Sequence, residues 1–137
     1  GVGLQDSITK INNSVIVADN DSSDSYNINQ NIDYEIIRTL KLSGTFNQGK
    51  IFLVVDKKAS RDFLLNLCKN LRLKYEEFQN IIICIYSNNE VGKSLANGSS
   101  IKITVQDQKE AWLGLYSYNK VEGEYFDSNP SNYLRPN

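Results

Sequence analysis

A chain of 137 residues, 40% hydrophobic and 23% charged, fits one domain that buries roughly two-thirds of the surface its unfolded form exposes. The formal net charge of -1, with Lys and Arg spread among the acids, excludes the basic field of a nucleic-acid binder, and no stretch approaches the roughly 18 apolar residues of a membrane span. The complete absence of histidine removes the commonest general base, the Ser-His and Cys-His nucleophile pairs and the commonest transition-metal ligand.

Residues 1–32 read as a tether or linker. Met is absent throughout, position 1 included, so the expectation is that a signal peptide, a lipoprotein leader or a further domain stood upstream of Gly1. "SVIVA" at 14–18 is apolar enough for one short strand, an edge strand added to the main sheet. "DNDSSDSYNINQN" at 19–31 has a linker's composition and no hydrophobic period. Asp19, Asp21 and Ser23 begin like a calcium loop, but position six is Asp24 where Gly belongs and position twelve is Gln30 where a bidentate Glu belongs, so no metal is expected there.

The folded domain is expected over 33–137. "DYEIIRTLKL" at 33–42 places Tyr34, Ile36, Leu40 and Leu42 against Glu35, Thr39 and Lys41, the period of two of a half-buried strand. The turn composition of "SGTFNQG" leads into "KIFLVVD" at 50–56, which is apolar on both faces, so the pair is a hairpin with an interior second strand. Over 60–78, Phe63, Leu64, Leu67, Cys68, Leu71 and Tyr75 form a helical apolar stripe, and Ser60 is placed to cap its start. "NIIICIYS" at 80–87 is again apolar on both faces, a central strand reached from 50–56 by a parallel crossover. Cys68 on the helix and Cys84 in this strand are expected to be buried thiols. "SIKITVQ" at 100–106 and "EAWLGLYSY" at 110–118 alternate and predict a second antiparallel hairpin, and from residue 120 the chain reads as an irregular tail. The fold class expected is α+β: a two-layer sandwich with a mixed four- to five-stranded sheet, ββαβ and then a hairpin, and one long amphipathic helix on one face.

Three stretches carry chemistry worth weighing. "SNNEVGKS" at 87–94 ends like a phosphate-binding loop, with Gly92, Lys93 and Ser94 in place. The first glycine is replaced by Ser87, "KSLA" runs into "NGSS" after little more than a turn, and no later strand supplies a magnesium acid, so a strand-to-turn connection is the expected reading. Asp56 ends a parallel strand, where open α/β sheets place ligands, but no second acid is identifiable from spacing and a turn acid is the plainer reading. The aromatic group Trp112, Tyr116, Tyr118, Tyr125, Phe126 and Tyr133 is the remaining candidate surface. Trp112, Tyr116 and Tyr118 share one face of a strand over 110–118, either covered by the tail or open to a peptide, sugar or protein.

The hairpin, the helix "SRDFLLNLCKNLRLKYEEF", the strand "NIIICIYS" and the segment "EAWLGLYSYN" together resemble, in layout, small bacterial envelope lipoprotein domains built from a strand pair, one amphipathic helix and a strand near an Ala-Trp segment. The resemblance spans residues 33–119 and implies export and a binding role without assigning functional residues. The reading adopted is a non-catalytic binding or interaction domain of an exported bacterial protein, held at the membrane through an upstream lipid anchor. It takes a protein, peptide or glycan ligand through Trp112, Tyr116, Tyr118, Tyr125 and Tyr133, with no catalytic residues, metal, cofactor or nucleic acid. The alternatives are a histidine-independent hydrolase using acids near Asp56, and an intracellular nucleotide-sensing or inhibitor-type protein using 87–94.

Overall fold

The computed structural model describes residues 34–42, 44, 47–99 and 102–133, with the Tyr133 side chain excepted. The strand expected at 14–18, the calcium-like stretch at 19–30 and the tether over 1–32 lie outside the described residues. The fold is α+β, with a five-stranded mixed sheet and three helices among the described residues. The strands β1 (Tyr34–Leu42), β2 (Gln48–Val55), β3 (Asn80–Ser87), β4 (Trp112–Asn119) and β5 (Gly123–Asp127) lie side by side in chain order. β2 and β3 are parallel and the other neighbours antiparallel.

Helix α1 (Arg61–Lys74) makes the parallel crossover. Ser60 caps it as the sequence suggests, its hydroxyl accepting the Phe63 N–H at 3.1 Å, and Leu64, Leu67, Cys68 and Leu71 form its buried stripe. The stripe lies on the sheet face made by Ile51, Leu53 and Val55 of β2, Ile81, Ile83 and Ile85 of β3, and Tyr116 of β4, all buried in one core. The helix stops at Lys74, short of the expected 78, because Phe78 leaves it to pack against Gly49. A Cβ at Gly49 would come within 2.2 Å of the Phe78 ring, so β2 carries glycine where that ring seats.

Two expectations fail in the second half. Residues 102–104 are not a strand, and α3 (Val105–Ala111) begins there instead. Thr104 accepts the Asp107 N–H at 3.0 Å, and Gln106 donates to Glu110 one turn on. The alternation of "IKITV" imitated a strand, whereas Thr104 with Asp107 three residues later is a helix-start signature. The tail from 120 is also partly regular. Asn119 accepts the Val121 and Glu122 N–H groups, Gly123 takes a positive φ of 83°, and β5 returns along β4 to make the real second hairpin, followed by a 3-10 turn at Pro130–Tyr133. The single long helix is thus replaced by three, of which α1 has 14 residues and α2 (Glu90–Ala96) and α3 seven each.

α2 occupies the sheet face opposite α1. Arg38 of β1 lies over the Phe52 ring at 4.2 Å and donates from Nε to the Ala96 carbonyl at 3.1 Å, and both Arg38 and Phe52 are on that opposite face. Among the described residues no helix is long and apolar enough to cross a membrane.

Candidate functional site: the sheet face opposite α1

The registers arrange the second face in rows. Leu40, Lys50, Ile82, Ser117 and Tyr125 form one, and Arg38, Phe52, Cys84, Leu115 and Asp127 the next. Val54 and Tyr86 lie beyond them, and Val54 is fully buried where α2 covers that end. The two rows below α2 are different: Leu40, Phe52, Ile82, Cys84 and Leu115 are half-buried, and Tyr125 is 46% exposed. None of them belongs to the core under α1. A strand such as β3, apolar on both faces, is the pattern of a sheet covered on both sides. Here α2 covers the Val54 end, and Arg38, bonded to Ala96, lies over Phe52 in the next row.

The aromatic residues singled out from the sequence do not form one surface. Tyr116 and Tyr118 pair with Ile83 and Ile81 and point to the α1 side, where Tyr116 is fully buried. An irregularity between Ile85 and Tyr86 shifts the register, so Trp112 falls opposite Tyr86 on the second face and stacks on it at 6.4 Å. A one-residue bulge of this kind reverses the side of every residue beyond it. Tyr125 lies in the open rows, Phe126 packs on the α1 side, and the Tyr133 side chain lies outside the described residues. Of those whose side chains are described, Trp112 and Tyr125 are therefore on the second face. The residues that sequence reasoning did not put forward are Leu40, Phe52, Ile82 and Leu115, and their signal was the two-sided apolarity of β2 and β3.

Tyr116 and Tyr118 belong instead to a tie between β5 and α1. The Tyr116 hydroxyl donates to Glu124 at 2.7 Å; Lys69 and Arg72 approach the same carboxylate at 3.7 and 3.8 Å, and the Arg72 guanidinium lies 4.1 Å from the Tyr118 ring centre. Burial, and then the bond to Glu124, push the Tyr116 hydroxyl far above its ordinary range, so it is a donor and not a base. Tyr116→Phe removes a charge-assisted bond at a partly exposed carboxylate. It is expected to cost about 1–2 kcal/mol in denaturant unfolding, with the secondary structure unchanged.

Four amides of the loop at 87–94 are taken up within the fold. Asn88 donates to the Val55 carbonyl, Asn89 to the Ser87 carbonyl, Gly92 to the Asn89 side chain at 2.8 Å and Lys93 to the Asn89 carbonyl. A phosphate cradle needs several such groups aimed at one outside point. Gly92 also has a packing reason, since a Cβ there would lie 1.8 Å from the Ser87 carbonyl oxygen. Asp56 is exposed and closes a turn, its carboxylate accepting the Lys58 N–H at 2.8 Å. Among the described residues no group of three or more Cys, Asp or Glu side chains is placed to hold a metal ion. Cys68 is buried under α1 and Cys84 half-buried in the open rows; both are free thiols on opposite faces of the sheet.

No family model, no curated protein and no solved structure matches this chain. What defines it is its own geometry, a five-stranded α+β domain with one face sealed by α1 and the other sealed at one end by α2.

Proposed function

We propose that the chain is a non-catalytic binding or interaction domain of an exported, membrane-tethered bacterial protein, and that it engages a protein, peptide or glycan. The observation that carries the binding part is the half-buried apolar set Leu40, Phe52, Ile82 and Leu115 beside α2, edged by the exposed Tyr125 and interrupted by Lys50 and Arg38. Apolar side chains left partly accessible and rimmed by polar ones are a pattern of interaction sites. Tyr125 gives it an aromatic rim with a polar tip, the residue type favoured where one end is dry and the other wet. The export part rests on the layout resemblance and on the linker composition of residues 19–31.

Two measurements test the two parts. Fractionation of the native cells, with mass spectrometry of the mature N-terminus, is expected to give an acylated or signal-cleaved form outside the cytoplasm; an unprocessed cytosolic form overturns export. For binding, a photo-cross-linking residue is placed in intact cells at 125, in the open rows, or at 121, a turn position 93% exposed. The expected result is a cross-linked species of defined mass from 125 alone. Equal labelling from both positions, or none from either, overturns the reading.

A further inference from the structure

The end of α2 holds the only Asn-Gly pair of the chain, Asn97 and Gly98. Such a pair has its own chemistry. The nitrogen of the residue after an asparagine attacks the side-chain amide carbon and closes a five-membered ring, and glycine leaves that nitrogen unhindered because it has no Cβ. We infer that Asn97 and Gly98 form a site of spontaneous conversion to aspartate and isoaspartate, that the last turn of α2 gates the reaction, and that the isoaspartate product loosens α2 from the sheet. This goes beyond the interaction role and stands whether or not the second face takes a ligand.

In the first step the Gly98 nitrogen bonds to Asn97 Cγ, the bond from Cγ to Nδ2 breaks, and the Gly98 amide proton leaves with the side-chain nitrogen as ammonia. Water then opens the ring. Hydrolysis at Cγ gives an ordinary aspartate and leaves the backbone as it was. Hydrolysis at the main-chain carbonyl carbon carries the chain through Cβ and Cγ, which lengthens it by one carbon.

Both residues are exposed, so water reaches them, but the folded geometry keeps the reacting atoms out of line. Asn97 has a ψ of -8°, which turns the Gly98 nitrogen towards the Asn97 nitrogen and away from the side chain. Gly98 takes a φ of 72° and donates its N–H to the Leu95 carbonyl at 3.1 Å, while Ser99 donates to the Ser94 carbonyl at 3.0 Å. These two bonds are the paired closure with which a helix ends on a left-handed glycine. Ring closure needs the Gly98 bond released and Asn97 turned about ψ.

That opening is local. α2 has seven residues, too few to hold a helix in water unaided, and its end is fixed from outside by the Arg38 bond to the Ala96 carbonyl at 3.1 Å. The Arg38 guanidinium also lies against Gly98, where a Cβ would come within 2.7 Å of Nη1. Helix ends held by few contacts open at far less cost than global unfolding. Isoaspartate does not refit afterwards, because a chain longer by one carbon cannot keep the Gly98 and Ser99 bonds in register. Ala96 then shifts, and Arg38, which lies over Phe52, loses its anchor.

The full chain is aged in neutral buffer, folded and in urea, and conversion at Asn97 is followed by peptide mass spectrometry, with isoaspartate told from aspartate by electron-transfer fragmentation. The folded rate is expected to be about tenfold below the rate in urea, the ratio that corresponds to about 1.4 kcal/mol for opening the turn. Equal rates overturn the gate. No conversion in urea, or none in the folded chain over the span expected for half-conversion, overturns the site. Hydrogen exchange reads the consequence. Isoaspartate-containing molecules are expected to exchange faster over 90–99 with α1 unchanged, while an aged Asn97→Gln variant, whose longer side chain closes its ring far more slowly, keeps the exchange of the fresh chain. Unchanged exchange in the aged chain, or an equal change in the variant, overturns the loosening. Arg38→Gln is expected to raise the folded rate about fivefold, the ratio for about 1 kcal/mol from one lost hydrogen bond. An unchanged rate overturns the part of Arg38 in the gate. Where that variant loosens α1 as well, the comparison of the aged chain with Asn97→Gln decides.

Discussion

Gly92→Ala is expected to destabilise the domain by about 3 kcal/mol, seen as a lowered urea midpoint at unchanged slope. The direction is informative because local propensity points the other way. Gly92 lies inside α2, where alanine is favoured over glycine by about 1 kcal/mol. Against that, the new Cβ would sit 1.8 Å from the Ser87 carbonyl oxygen, 2.8 Å from its carbonyl carbon and 3.0 Å from its nitrogen. All three are backbone atoms at the end of β3, so no side chain can rotate away, and α2 must lift from the sheet. Lifting it loosens the Asn89 cap and the Arg38 bond to Ala96, and uncovers Val54, so the cost exceeds that of an ordinary overpacked methyl group. Gly44→Ala, with nothing within 4 Å of the added carbon, is the control and is expected to shift stability by less than about 0.5 kcal/mol. A stabilised Gly92→Ala would show that α2 is not held against the strand, and the glycine of "EVGKS" would then need an explanation other than packing.

That glycine shows how far the sequence could be read. The strands β1, β2 and β3 and helix α1 were legible because β1 and α1 each follow one hydrophobic period, β2 and β3 are short runs apolar on both faces, and each starts or stops at a recognisable cap or turn. Residues 100–111 were not, because β-branched Ile103, Thr104 and Val105 lie at the junction where a capped helix begins, and their alternation outweighed the Thr104 and Asp107 pair. β5 was missed because five residues at a sheet edge offer too few repeats for a period to emerge, and its partly exposed Glu124 lies on the α1 side, tied to Tyr116. Trp112 was put on the wrong face for a different reason. A bulge adds one residue without leaving a mark in the composition. The open face itself was half legible. Apolarity on both sides of β3 announced that something must lie over Ile82 and Cys84, but contact through apolar surface has no spacing signature of the kind that marks a phosphate loop or a metal site. Which end α2 would cover followed from the Arg38 and Ala96 contact, a pairing 58 residues apart that no local pattern encodes.

A second large effect is expected in alkali, where the domain should unfold cooperatively as the pH is raised from about 9 towards 12. Burial raises the Tyr34 hydroxyl from its ordinary value of 10.0 to about 12, with the neighbouring Tyr75 adding to it. The hydroxyls of Tyr75, Tyr86 and Tyr116 and the thiols of Cys68 and Cys84 are also raised, each chiefly by burial. In every case the folded state holds the proton more tightly than the unfolded chain does. The stabilisation is therefore fully present below the unfolded values, near 9 for cysteine and 10 for tyrosine, and is lost as the pH rises through the folded ones. Tyr34 alone corresponds to at most about 3 kcal/mol, and a domain of this kind has about 5–15 kcal/mol in total. A few such groups acting together are enough to unfold it. Circular dichroism and phenolate absorbance recorded on one titration are expected to show exposed tyrosines ionising first without loss of structure, followed by a steep step in which both signals change together. Tyr34→Phe should move that step to higher pH, because the group whose ionisation the folded state resists has been removed. Smooth ionisation of all tyrosines with the circular dichroism constant beyond pH 12 would mean that the folded state tolerates these charges, and with them a far more solvated interior than the packing under α1 allows.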